Sequence, residues 1–172
     1  MFKKNKILNN KEKGFIFLEI LIGSSLISMV FITLLGIGTL ALNTSSSIKK
    51  TTQIDSLIKE EIEAVRSFRD GTVWGTNGLG TVSVGGANPY YLVLDTGNPP
   101  KWILQTGTEM VNDVTRNVVF DNVSRDPSTN NIESAYNPAH LDPDTKKITV
   151  TVVSGTKTYQ VVTYLTNWLP WN

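Results

Sequence analysis

Residues 15–42, FIFLEILIGSSLISMVFITLLGIGTLAL, decide the fold, because they form one apolar run that contains a single charged residue, Glu19. About 20 apolar residues in a helix span a bilayer, so this run of 28 is long enough to cross a membrane. A carboxylate at the centre of such a helix costs about 2.5–3.5 kcal/mol, which makes Glu19 a functional candidate by default. The sequence therefore predicts a transmembrane helix in which the presence of one charged residue has to be explained by its function.

The segment that precedes this run is basic. Residues 1–14 carry five lysines and one glutamate, a net charge of +4, whereas the remaining residues carry 11 basic and 14 acidic side chains, a net charge of −3. Under the positive-inside rule the basic start stays in the cytoplasm and the C-terminal part crosses to the other side. We therefore predict a single-pass protein of the inner membrane, with no strong attraction for nucleic acid.

The helix is predicted to continue beyond the membrane. No proline lies between Phe15 and Arg69, and apolar residues recur mostly three or four apart after Ser47, which indicates an amphipathic helix. We assign residues 15–43 to the transmembrane half and residues 44–70 to the amphipathic half, with Gly71 just past its end. The apolar positions of the amphipathic half are Ile48, Ile54, Leu57, Ile58, Ile62, Val65 and Phe68.

The rest of the chain, residues 71–172, reads as a glycine-rich surface loop followed by a sheet. After residue 89 the apolar period becomes two, and consecutive strands of this kind predict an antiparallel sheet that packs one face on the helix. The fold class is therefore α+β. The predicted strands are Tyr90–Asp95, Lys101–Gln105, Val114–Asp126, Lys146–Ser154 and Thr158–Thr166, and the last two form a hairpin.

Few residues outside the helix are candidates for a catalytic or metal-binding site. The absence of cysteine excludes disulfides and thiolate ligands, and a single histidine, His140, argues against a histidine-based metal site. Asp142 and Asp144 are too sparse for a calcium loop, so a turn before a strand is the better interpretation. Trp168 and Trp171 in the tail are either at the edge of the core or an exposed contact. We predict no enzyme activity and no cofactor.

The apolar run could be a cleaved secretory signal or a plain anchor, but it is too long for the apolar core of a signal, and a plain anchor leaves Glu19 unexplained. The segment KGFIFLEI, residues 13–20, resembles the N-terminal motif of type IV pilins and pseudopilins. The resemblance implies that a prepilin peptidase cuts between Gly14 and Phe15, and that Phe15 becomes an N-methylated N-terminus. Glu19 is then the fifth residue of the mature chain, where its carboxylate pairs with the Phe15 amine of a neighbouring subunit.

Two further segments, EEIEAVRSFRD (60–70) and VVFDNVSRD (118–126), are similar to the PilV-type branch of minor pilins. The missing disulfide departs from the major pilins. The implied partners are other pilin subunits, the assembly platform with its ATPase, and membrane lipid before assembly. A pseudopilin of type II secretion or DNA uptake is the alternative within the family. An uncleaved, membrane-anchored binding domain is the alternative from another class.

Overall fold

The computed structural model describes the backbone of residues 10–168 and the side chains of residues 14–168. Most of the predicted leader, and Trp171 in the tail, lie outside these residues. A long helix is followed by six strands, so the predicted α+β class is confirmed. The elements are α1 (Asn10–Asp70), β1 (Tyr90–Asp95), β2 (Lys101–Thr106), β3 (Glu109–Val111), β4 (Val114–Ser124), β5 (Leu141–Ser154) and β6 (Lys157–Thr166).

Helix α1 already includes Asn10, the first residue that the structure describes, and so extends before Phe15, where the apolar run predicts its start. It also continues through Gly36 and Gly38 without interruption. A glycine costs a helix only about 1 kcal/mol relative to alanine, so isolated glycines in a long run without proline do not stop it. The helix therefore includes the peptide bond between Gly14 and Phe15.

The chain forms two compact units, which divide within α1 between Thr51 and Thr52. In the first unit the large apolar side chains from Phe15 to Leu42 are all solvent-accessible, with exposed fractions between 48% and 78%. The apolar part of α1 reaches a mean hydropathy of 2.4 and is long and apolar enough to cross a membrane. A helix that is apolar on every side is one suited to lipid or to other helices.

The second unit contains the sheet, in which all pairs are antiparallel and the order is β2-β1-β4-β5-β6, with β3 also paired to β4. Strands β5 and β6 form the predicted hairpin, in register from Thr145 opposite Thr166 to Ser154 opposite Lys157. Gly155 in its turn has a φ of 59°, which glycine adopts without steric cost.

Two details of the sheet differ from the prediction. Strand β3 was not expected, and it joins β4 through Asn112 and Asp113, both of which have positive φ. Asparagine and aspartate tolerate that region, which gives the tight hairpin turn. Strand β5 begins at Leu141 rather than Lys146. The prediction that residues 142–145 form a turn before the strand is therefore wrong, because they lie within it. The ladder shifts register between Asn122 and Val123, and the turn-forming residues sit in that irregularity.

Residues 54–68 of α1 cover the inner face of the sheet, as predicted. The helix contributes Ile54, Leu57, Ile58, Ala64 and Val65 to the core, and Ile62 and Phe68 pack partly buried against it. Ile48 is 61% exposed, so the buried stripe begins at Ile54. The inner face of the sheet contributes Tyr90, Leu92, Val114, Val118, Phe120, Ile148, Val150, Val152 and Leu165.

The glycine-rich segment is more than the surface loop that its composition predicts. Leu79 is fully buried within the core, in a short 3-10 turn, Leu79–Thr81. Trp74 closes over this turn and donates its indole N–H to the carbonyl of Pro143 at 3.0 Å. A Cβ on Gly80 would lie 2.6 Å from the carbonyl oxygen of Trp74, so only glycine fits there. Leu79 and Trp74 of this segment therefore pack with the core.

Replacement of Leu57 by aspartate is expected to lower the free energy of unfolding by several kcal/mol, because the new carboxylate would be buried without a partner. Leu57 is 7% exposed. Ser56→Asp introduces the same charge at an exposed position one residue earlier and should change the free energy by less than about 0.5 kcal/mol. Chemical denaturation of the full chain in detergent micelles measures both. Equal effects would show that this helix face is not packed on the sheet.

Candidate assembly site

The three residues singled out by the sequence, Gly14, Phe15 and Glu19, lie on α1 in the membrane-length part of the chain. Phe15 is 78% exposed, and Glu19 is also exposed. Residues four apart are neighbours on one helix face, so Glu19 lies one turn above the backbone nitrogen of Phe15. An amine created at Phe15 would therefore start on the same face as this carboxylate.

The hydroxyl groups of the apolar run are all satisfied by their own helix. Each donates a hydrogen bond to a backbone carbonyl three or four residues earlier, at 2.8–3.0 Å. Such bonds remove the cost of placing a hydroxyl in lipid, because the helix itself supplies the acceptor. The five residues are Ser24, Ser25, Ser28, Thr33 and Thr39.

Glu19 differs from these hydroxyls. Among the residues whose side chains the structure describes, none forms an ion pair or hydrogen bond with its carboxylate. An ionised carboxylate cannot be satisfied by the carbonyls of its own helix, since both groups are acceptors. The charge of Glu19 needs a donor that residues 14–168 of the same chain do not supply.

The bond after Gly14 lies within helical backbone, and a Cβ at Gly14 would meet no atom within 4 Å. The absence of a side chain leaves the backbone at this bond open to approach. A helix holds its amides in intrahelical hydrogen bonds, so a protease that acts here has to unwind the local turn first. The low helix propensity of glycine reduces the cost of that step.

A second group of charged residues lies where α1 meets the sheet. We call it the carboxylate clamp, and it consists of Glu60, Glu61, Glu109 and Arg116. Glu61 is fully buried in α1, and its Oε1 accepts a hydrogen bond from the backbone N–H of Leu92 in β1 at 3.1 Å. Its Oε2 lies 3.2 Å from Nε of Arg116 in β4.

Arg116 is the centre of the clamp. Its Nε donates to Oε2 of Glu109 in β3 at 2.6 Å, and its Nη1 lies 3.2 Å from Oε1 of Glu60. The Arg116 side chain is only 5% exposed. A single guanidinium thus faces three carboxyl groups, which would leave an excess of negative charge if all three were ionised.

The pKa of Glu61 is shifted mainly by its burial and, to a smaller extent, by the neighbouring carboxylates. Burial raises the pKa of Glu61 from an ordinary 4.5 to about 7, because the enclosed carboxylate loses its hydration. The charge of Arg116 and the N–H of Leu92 lower that pKa without cancelling the effect of burial. The negative charges of Glu109 and Glu60 raise it further.

The sequence contains signals for the clamp, although the predictions above do not include it. Glu61 falls at a core-facing position of the helix, three or four residues from Leu57, Ile58, Ala64 and Val65. Arg116 falls on the inner face of β4, in alternation with Val114 and Val118. Opposite charges at two positions that the periodicity places inside would have predicted an ion pair between helix and sheet.

The single histidine takes part in a local network beside β4. His140 Nδ1 lies 2.8 Å from Oε1 of Glu133, and the buried Ser124 accepts a hydrogen bond from the Asn137 N–H at 3.0 Å. Hydrogen bonds from Ser124 and His140 lower the pKa of Glu133. The contacts tie the loop between β4 and β5 to the sheet.

Asp142, considered above as a calcium ligand, is paired with a cation of the chain itself. Its Oδ2 accepts a hydrogen bond from Nε of Arg125 at 2.5 Å. Burial acts to raise the pKa of Asp142, but hydrogen bonds with Thr145 and Arg125 outweigh it and hold the pKa below its usual value. Asp144 accepts a hydrogen bond from the Asn167 side chain at 3.0 Å. Both carboxylates therefore have structural partners.

Trp168, which the sequence leaves between core and contact, is 57% exposed. Its indole N–H donates to Oδ1 of Asp70 at 3.2 Å, and the Arg69 guanidinium lies 5.9 Å from the ring centroid. The tail thus returns to the last turn of α1. This contact joins the chain after β6 to the end of the helix without entering the core.

No cluster of three or more potential metal ligands occurs within the part of the chain that the structure describes. No family model, curated protein or solved structure matches the chain.

Proposed function

We propose that this protein is a prepilin, a membrane-anchored structural subunit that is processed and then assembles into a type IV pilus or pseudopilus. A prepilin peptidase cuts between Gly14 and Phe15, and the new N-terminal amine is methylated. The subunit then leaves the inner membrane and packs by α1 against other pilin subunits. The assembly platform and its ATPase drive this step.

One observation carries the proposal. The apolar run satisfies its five hydroxyls internally, yet it retains at Glu19 a carboxylate with no partner in residues 14–168. A charge of this kind is costly in lipid and becomes tolerable when a cation is brought to it. The amine of a neighbouring Phe15 is such a cation, and it exists only after cleavage.

The exposed apolar surface supports the same function. Side chains from Phe15 to Leu42 are exposed all around the helix, so they suit lipid before assembly and other helices afterwards. The sheet unit has its own core and faces the space outside the cytoplasm under the positive-inside rule. We assign the protein a minor, PilV-type role, because residues 60–70 and 118–126 resemble that branch, and the sequence has no cysteine for the disulfide of the major pilins.

The intact mass of the membrane-extracted protein tests processing. Cells that contain a prepilin peptidase should yield a chain that lacks residues 1–14 and carries one additional methyl group. Cells without the peptidase should yield the full chain. A full-length chain in both would favour an uncleaved, membrane-anchored binding domain and would overturn the proposal.

A further inference from the structure

The carboxylate clamp joins three elements through one buried arginine. Helix α1 supplies Glu60 and Glu61, β3 supplies Glu109, and β4 supplies Arg116. Glu109 is the closest partner, at 2.6 Å, whereas Oε1 of Glu60 lies 3.2 Å from Nη1 of Arg116 in a geometry that makes no hydrogen bond. Glu109 thus supplies a hydrogen-bonded counterion for Arg116 before Glu61 is considered.

Glu61 is the carboxyl group least able to remain ionised. It is fully buried, whereas the Glu109 and Glu60 side chains are 29% and 48% exposed and keep contact with water. Its Oε2 lies 3.2 Å from Arg116 Nε but in a geometry that makes no hydrogen bond. A buried anion without full hydrogen bonding is destabilising, and a proton on Glu61 removes that cost.

We propose that the clamp is a proton-dependent device that holds α1 on the sheet. The contact is tight while Glu61 carries a proton, and it weakens when Glu61 ionises at mildly alkaline pH. The proposal concerns residues 52–70 of the helix and the sheet, and it does not depend on whether the protein is a pilin.

The direction of the pH effect follows from proton linkage. The folded chain keeps a proton on Glu61 up to a pKa of about 7, whereas the unfolded chain releases it near the ordinary value of 4.5. The stabilisation is therefore complete below pH 4.5 and is lost as the pH rises through 7. Between pH 6 and pH 8 the unfolding equilibrium constant should rise by about tenfold from this group alone.

The test is chemical denaturation of the full chain in detergent micelles at pH 6 and pH 8, for wild type and two variants. Glu61→Gln imitates the protonated side chain, so the tenfold difference should disappear, and the variant should be at least as stable as wild type at pH 8. Glu63→Gln removes an exposed carboxylate from the same helix and should retain the wild-type pH dependence.

Two outcomes would overturn the proposal. One is a wild-type unfolding constant that does not change between pH 6 and pH 8. The other is a Glu61→Gln variant that is less stable than wild type at pH 8, which would identify a permanent ion pair with Arg116. The Leu92 amide, which donates to Glu61, gives a second readout by NMR. Its chemical shift should titrate in the wild type with a midpoint near pH 7, and a constant shift would contradict the proposal even if Glu61→Gln failed to fold.

Discussion

Glu19→Ala and Glu19→Leu variants should insert into the membrane as well as wild type, yet be almost absent from sheared filaments. Removal of the charge can only make insertion of the apolar helix easier. Assembly should fail because the Phe15 amine of a neighbour would enter the packed core without a partner. A broken buried pair costs about 3–5 kcal/mol, which corresponds to a loss of incorporation of about a hundredfold or more.

Two further variants make this experiment specific. Glu19→Gln keeps the shape of the side chain without its charge and should behave like Glu19→Ala. Glu63→Ala removes a glutamate of which the side chain is 67% exposed, on the same helix but outside the apolar run, and should assemble normally. The assay measures recovery of this protein itself, because a minor subunit constitutes a small part of a filament. Normal incorporation of all three Glu19 variants would show that the carboxylate has no role in assembly.

Gly14→Pro is expected to abolish processing. The proline ring fixes φ near −65° and removes the backbone N–H of residue 14, so the chain can no longer adopt freely the extended form that cleavage requires. A Cβ at residue 14 would meet no atom within 4 Å, so the expected effect comes from the backbone and not from a steric clash. The full chain should accumulate in the membrane, with the leader still attached, and intact mass distinguishes the two forms.

Gly23→Ala is the matched control, since it changes a glycine of the same helix away from the predicted bond and should be processed normally. Cells without the peptidase supply the mass of the uncleaved chain. A Gly14→Pro protein that still begins at Phe15 would contradict the prediction, because it would show that cleavage of this bond does not require glycine at residue 14.

The main features of the fold could be predicted from local pattern. The length of the apolar run, the helical spacing from Ile54 to Phe68 and the alternation along β4 to β6 each reflect a period that the backbone imposes. The hairpin between β5 and β6 follows from two alternating strands joined at Gly155. These signals depend on a few residues at a time, so a single sequence contains them.

The errors have a different origin. Strand β3 has only three residues, too few for a period, and its turn at Asn112 and Asp113 was the available signal. Pro143 suggested a break before β5, but the irregular register opposite Asn122 accommodates it. Leu79 looked like part of a loop because its neighbours are glycines, and only the three-dimensional packing shows that it completes the core.

The two candidate sites also differ in whether local sequence pattern is enough to predict them. The positions of Gly14, Phe15 and Glu19 are evident from the motif, because their relation is a spacing along one helix. The clamp joins Glu61 to Arg116 and Glu109 across more than 40 residues of sequence, so a pairing of helix with sheet has to be known first. In the proposed assembly, the partner of Glu19 comes from another subunit.

The most direct measurement of the central claim is the intact mass of this protein recovered from filaments sheared off the cell surface. We predict a chain that begins at Phe15 and carries one methyl group on its N-terminal amine. Recovery of the full chain from the membrane alone, with none of the protein in the filament fraction, would contradict the proposal that it is an assembled pilin subunit.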